Sequence, residues 1–416
     1  MVEGERSYRA LFAIEGLPRI VASMQLARIG QSMAGVALVL FTLHEYNSPL
    51  LAGVVTFVST FPGIVFSPIA GALLDRHGRI RLIALDYVIA CASVLLIGAL
   101  ALADALPPAL LVLIACVSSI TAPLSQTGLR SLFPLLVPEN LWERVNAVDS
   151  NGYLIASVLG PSLAAGLFAI VGPQLAVAAI GVLYGLAAIS LIGARDPAHQ
   201  SMASSSLLAD TAEGLRYAWH NRTIRGLIFG IGALNLAGGI QTIVVPVLVL
   251  DRLNAADYAV GAVFALSGIA GIVSVFLFGR VDSRGREWRM LVYPMALIAP
   301  VLALLLVSNS EPMVAAPALA LALIGATMFV MGALNGPLDI GLFTIRQRRT
   351  SAQMMGRAFA VSMALNFSGF PIGAALAGVV AEQSLDLAIV LAVVAAAAGT
   401  VFTAVLVPRT DRAAAS

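Results

Sequence analysis

Lysine is absent from this 416-residue chain, and all 24 of its cationic side chains are arginine. Charge as a whole is scarce: 11% of residues are charged, against roughly 25% in soluble domains. Cysteine is nearly missing too. Cys91 and Cys116 both fall in apolar runs and neither has a C-x-x-C partner, so they read as buried free thiols rather than as a disulfide framework or metal site. The four histidines, His44, His77, His199 and His220, are scattered and no cluster of paired acids accompanies them. That argues against a membrane-embedded enzyme and leaves no metal or other cofactor to expect. There is no glycine-rich phosphate loop, so ATP is not the expected energy source. The arginines are dispersed without interleaved exposed aromatics, which argues against nucleic acid as a partner. The opening residues, MVEGERSYRALFAIEG, lack the order of a signal peptide, so no removed leader is expected.

What the chain does have is apolar length. Hydrophobic residues make up 59% of it, and a helix needs about 20 of them in a row to cross a bilayer. Twelve such runs can be marked: 20–43, 50–74, 82–102, 109–136, 146–170, 174–193, 226–250, 258–279, 290–307, 313–341, 355–381 and 386–407. They are too long for transmembrane strands, and an open sheet would leave backbone groups unpaired in lipid. The expected fold is an all-α membrane protein. With the N-terminus placed in the cytoplasm, 21 arginines fall in inner loops and ends, Arg252 alone falls outside, and Arg28 and Arg130 lie within spans. This is the positive-inside pattern for an even number of spans. It predicts a multi-pass protein of the cell membrane with both termini cytoplasmic.

One long hydrophilic stretch, 194–225, separates six spans from six. The expected organisation is therefore an N-terminal bundle, 1–193, a linker, and a C-terminal bundle, 226–416. Within the linker, Leu208, Ala212, Leu215 and Trp219 share one stripe, which predicts an amphipathic helix along the inner surface. An internal repeat supports two pseudo-symmetric six-helix halves. Aligning Asp75 with Asp282 also aligns Gly78 with Gly285 and Arg79 with Arg286, at a constant offset of 207. Arg144 and Arg357 open the fifth and eleventh runs at an offset of 213. Duplicated halves are a common transporter architecture.

The loop after the second run reads Gly71-Ala-Leu-Leu-Asp75-Arg76-His-Gly78-Arg79-Ile-Arg81. It resembles the signature between spans two and three of the major facilitator superfamily, and 279–286 resembles the degenerate second copy. Ala156-x-x-x-Gly160-Pro161-x-x-Ala164-Ala165 in span five is similar to that family's antiporter motif, with Ala in place of its final Gly pair. Glu213-Gly-Leu-Arg-Tyr-Ala-Trp219 resembles the linker of prokaryotic drug-efflux members. The resemblance implies a secondary transporter working by alternating access on a small-molecule substrate, with protons as coupling ion and a monomer as the working unit.

The residues themselves suggest roles. Asp75 stands by a tight loop that Gly78 permits, and it can pair with Arg76, Arg79 or the positive end of another helix. The reading is a conformational latch, with a solvated turn as the alternative. Pseudo-symmetry would bring Asp75 to Arg357 and Asp282 to Arg144. Gly160-Pro161 predicts a kink, and its small neighbours suit close helix packing as well as an antiport role. Charges inside spans are the default functional candidates: Arg28, Asp86, Arg130, Asp149 and Asp339. Asp86, five residues after Arg81, reads as interfacial. Arg130 and Asp149 can neutralise each other. Asp149 and Asp339 are the candidate proton sites. In the resembled fold, spans one, four, seven and ten line the cavity. Their polar residues are Gln31, Ser118, Thr121, Ser125, Asn235, Gln241 and the stripe Met328, Met331, Asn335, Asp339. This mixture suits amphipathic organic molecules better than phosphates. Interhelical hydrogen bonds are the plainer use of the same residues. Export of amphipathic compounds leads. Uptake of a small nutrient is the alternative, and a scaffold or receptor lies behind both.

Overall fold

The structure is a computed structural model that describes residues 7–138, 141–194, 207–279, 283, 285–350 and 354–409. Among these there is no strand. Twelve helices are long and apolar enough to cross a membrane. Spans 1 to 6 are Leu17–Tyr46, Pro49–Ser67, Arg79–Leu102, Pro108–Leu129, Asn151–Val171 and Pro173–Ser190. Spans 7 to 12 are Arg222–Arg252, Asp257–Phe278, Glu287–Ser308, Pro317–Arg348, Val361–Ala381 and Leu385–Leu406. A helix satisfies its own backbone, which is the condition for crossing lipid. Many large apolar side chains point outward; Ile170 is 81% exposed and Val405 70%. In water such surfaces would aggregate, and in a bilayer they face their solvent.

The ends of the helices follow local chemistry. Proline opens spans 4, 6 and 10 at Pro108, Pro173 and Pro317, where its missing N–H is not needed. Asn221 and Ser384 cap spans 7 and 12 by accepting from the backbone N–H groups of Ile224 and Leu387. Gly78 takes φ +91° and lets span 3 start directly after the helix that ends at His77.

By contacts the chain divides into two compact units. The first holds Met1–His44 and Val58–Ser204, the second Glu45–Phe57 and Ser205–Ser416. The division differs from the expected one at 45–57. In the second unit this segment lies against the end of span 11, where Gly53 and Gly378 approach so closely that a Cβ on Gly53 would fall 2.8 Å from Gly378 Cα. The Ser48 hydroxyl also donates to the Glu382 carboxylate at 3.0 Å.

Inside each unit the same helix pairings recur. In the first unit span 3 packs on spans 4 and 6, and the helix Phe61–His77 that carries the end of span 2 packs on span 4. In the second unit span 9 packs on spans 10 and 12, and span 8 on span 10. Span 1 meets span 6 through Gly30 against Tyr184, and span 5 through Gly160 against Ser32. Span 7 meets spans 11 and 12. Each of these pairings of the first unit thus reappears six spans later, so the repeat read in two loops extends to the packing.

Span 5 belongs to one helix, Trp142–Val171, which continues through Pro161. Ala156, Ala164 and Ala165 are buried within it. A Cβ on Gly160 would come within 2.4 Å of the Ser32 hydroxyl oxygen and 2.8 Å of its carbonyl carbon. Alanine ordinarily stabilises a helix interior over glycine by about 1 kcal/mol. Here overpacking reverses the sign, and Gly160→Ala is expected to destabilise the protein by about 1–3 kcal/mol. A rise in thermal stability of the purified variant would contradict this close approach.

Candidate functional site

The second unit encloses a cavity of about 310 Å³. Span 10 supplies one wall: Met331, Asn335 and Asp339 stand four residues apart on one face, followed by Phe343. Span 7 contributes Asn235 and Gln241, span 8 Ser267, span 9 Ile298 and Leu302, and span 11 Met363, Asn366 and Phe367. Among the described residues no Arg or His lines it, and Asp339 is the one charged lining residue. Asp339 is exposed toward this space, and among the described residues no cation stands within ion-pair distance of it.

The neutral polar groups are held in place. The Asn235 side-chain amide donates to the Asn366 backbone carbonyl at 2.9 Å. Gln241 Nε2 lies 2.8 Å from Met328 Sδ, which is buried behind the cavity wall. Of the expected cavity residues, Asn235, Gln241, Met331 and Asn335 come together here with Asp339, while Met328 supports from behind. Span 11 was not anticipated as a lining element, yet it supplies Met363, Asn366 and Phe367. Behind Phe343 and Met363 lies Arg346, which reads from sequence as a loop arginine. It is instead fully buried within span 10, with Nη1 2.8 Å from Met363 Sδ and its guanidinium 5.9 Å from the Phe343 ring.

The first unit gathers charge differently. Arg28 of span 1 pairs with Asp149 at the base of the span-5 helix, through both the carboxylate and the Asp149 backbone carbonyl. The two side chains are 12% and 13% exposed. The Arg28 guanidinium also sits 5.9 Å from the Tyr153 ring. Asp149 was expected to neutralise Arg130; its described partner is Arg28, and the Arg130 side chain lies outside the described residues. Asp86, expected at interfacial depth, is 4% exposed within the bundle, and the hydroxyls of Ser125 and Thr121 face it. Those two residues therefore lie beside a buried carboxylate of span 3. Ser118 accepts from Thr121 through its carbonyl at 3.1 Å, and Gln31 is exposed on span 1.

This fold and cavity can be set beside known proteins. The family model described as Major Facilitator Superfamily matches residues 20–335. The chain belongs to the major facilitator superfamily. An uncharacterised transporter of the superfamily from Sinorhizobium fredii, y4rN, is 34% identical over 396 residues, covering 94% of this chain and 95% of its own. The multidrug efflux pump Tap of Mycolicibacterium fortuitum is 25% identical over 370 residues, covering 86% of this chain and 87% of its own. Among solved structures, a point mutant of the nucleoside transporter NupG superposes with a TM-score of 0.73 at 12% identity, covering 94% of this chain and 98% of its own. As a superfamily member the protein is a transporter and a multi-pass membrane protein of the plasma membrane. The superfamily signature at Gly71–Arg81 is only partly described. Gly71 lies in the helix Phe61–His77, Gly78 and Gly285 both adopt positive φ, and Arg286 is exposed. The side chains of Asp75, Arg76 and Arg357, and all of Asp282, lie outside the described residues.

Proposed function

We propose that this superfamily transporter exports small amphipathic organic compounds by proton antiport. The observation that carries the reading is the cavity of the second unit. It joins amides and a single carboxylate to walls of Leu, Ile, Met and Phe, which suits a molecule with an apolar body and a few polar groups. Methionine and phenylalanine walls can repack around different shapes. The 25% identity to a multidrug efflux pump supports the same direction. Asp339 is the proposed proton carrier, because among the described residues it is the acid that lines the cavity. The latch is proposed at Asp75 with Arg357 and at Asp282 with Arg144, on the arginine-rich side that the charge pattern places in the cytoplasm. Two six-span bundles joined by the linker, working as a monomer, complete the proposal.

Vesicle direction tests it. With protein in inverted vesicles and an inward-acidic gradient, a panel of fluorescent amphipathic compounds is expected to accumulate; right-side-out vesicles are expected to exclude them. Accumulation in right-side-out vesicles only would favour nutrient uptake, the second reading of this fold. A separate expectation concerns the latch: Asp75→Asn should slow transport without lowering the yield of folded protein. Wild-type rates in that variant would reduce the motif to a solvated turn.

A further inference from the structure

The linker helix Leu207–His220 presents two faces. Gly214 and Ala218 are buried where it packs on span 7 and on the helix Met355–Phe367 that leads into span 11. Leu215 and Trp219, four residues apart, point the other way and are 47% and 57% exposed. Leu215 and Trp219 of the apolar stripe therefore face outward, and the small residues Gly214 and Ala218 seat the helix.

The outward stripe does not end with the helix. The Trp219 ring meets Phe229 edge-on at 6.1 Å, and Phe229 lies 6.2 Å from Phe402. Both phenylalanines are exposed, on spans 7 and 12. One aromatic strip thus runs from the linker onto the lipid-facing surface, with Trp219 at the end of the span, the level where tryptophan collects at membrane interfaces. Arginine surrounds that end. Arg216 and Arg222 are exposed, and Arg225 Nη1 is 3.2 Å from the Trp219 carbonyl. No described carboxylate is in ion-pair contact with any of the three. Of the linker's acids, Asp210 stands toward its other end, and Glu213 precedes Arg216 by three residues. An apolar edge at interfacial depth beside several cations matches an anionic phospholipid, whose acyl chain takes the ring edge and whose phosphate takes the guanidinium forks.

We propose that Leu215, Trp219 and Phe229, with Arg216, Arg222 and Arg225, form a binding site for an anionic phospholipid of the bilayer. The site also touches a second connection of the unit. Besides packing on Met355–Phe367, the linker is tied by the Asn221 side chain to the Arg349 carbonyl at 3.1 Å, between spans 10 and 11. Lipid held here braces the connection that carries span 11.

The test uses the full chain in vesicles of phosphatidylcholine with a brominated phosphatidylglycerol fraction, compared with brominated phosphatidylcholine at equal bromine content. The fluorescence lost in Trp219→Phe isolates that residue among the three tryptophans. Its emission is expected to be quenched preferentially by brominated phosphatidylglycerol. An arginine near an anionic surface adds roughly a fivefold preference. The double variant Arg216→Gln/Arg222→Gln should therefore raise the phosphatidylglycerol needed for half-quenching roughly thirtyfold, while Asp210→Asn should leave it unchanged or lower it. Equal quenching by the two brominated lipids, or no quenching by either, would overturn the site. The readout does not use transport, so it stands apart from the exporter reading.

Discussion

Asp339→Asn is expected to abolish substrate accumulation driven by a proton gradient, down to the level of protein-free vesicles. Substrate binding and downhill exchange should survive. The argument rests on place. An antiporter needs a group that binds a proton or influences substrate but not both at once, and the group must face the substrate's space. Among the described residues Asp339 is the one charged residue lining the cavity of the second unit, on the face that carries Met331 and Asn335. Asparagine keeps the shape and hydrogen-bonding capacity and removes the titrating oxygen. The measurement is paired: gradient-driven uptake into inverted vesicles, and exchange of labelled for unlabelled substrate without a gradient. Full gradient-driven accumulation in the variant would remove Asp339 from the coupling role. Asp86 would then be the next acid to neutralise, since it is buried against Ser125 and Thr121 with no described cation in ion-pair contact.

Much of the scaffold is legible in the chain because lipid imposes a simple rule. Apolar length marks the spans, and the expected runs differ from the observed ones mainly at their ends, as in 20–43 against Leu17–Tyr46. The loop repeat at offset 207 points to duplicated packing because the same interhelical contacts had to be kept in both copies. What sequence reads poorly is direction around a helix. Asp86 lies only five residues from Arg81, so its axial depth suggested the interface, yet rotation turns it inward. Arg346 is hidden in the same way: a residue next to Arg348 and Arg349 looks like loop, and its side chain points into the bundle. In span 11, Met363 and Asn366 sit in a run of small and apolar residues with nothing to mark the cavity face. Partners distant in sequence are equally silent. Arg28 and Asp149 are 121 residues apart, and only the packing of span 1 on span 5 joins them.

That pair yields the second large expected effect, on stability rather than transport. Two mostly buried charges stabilise each other here, and removing one partner of such a pair ordinarily costs about 3–5 kcal/mol. The two single variants should nevertheless differ. Arg28→Met leaves the Asp149 carboxylate without its described counter-charge. Asp149→Asn leaves Arg28 its bond to the Asp149 backbone carbonyl at 2.6 Å and its place by the Tyr153 ring, so part of its solvation survives. Arg28→Met is thus expected to cost the full amount, and Asp149→Asn about 1–3 kcal/mol, in the range of a hydrogen bond lost to a charged group. Combining Arg28→Met with Asp149→Leu should recover most of the loss, since neither charge of the pair then remains and the apolar side chains fill the space. Thermal unfolding of the purified proteins in one detergent ranks all four. If Arg28→Met is no less stable than Asp149→Asn, or the double variant is worse than both singles, the pair is not the balanced buried contact described here, and Asp149 draws its neutralisation from elsewhere in the unit.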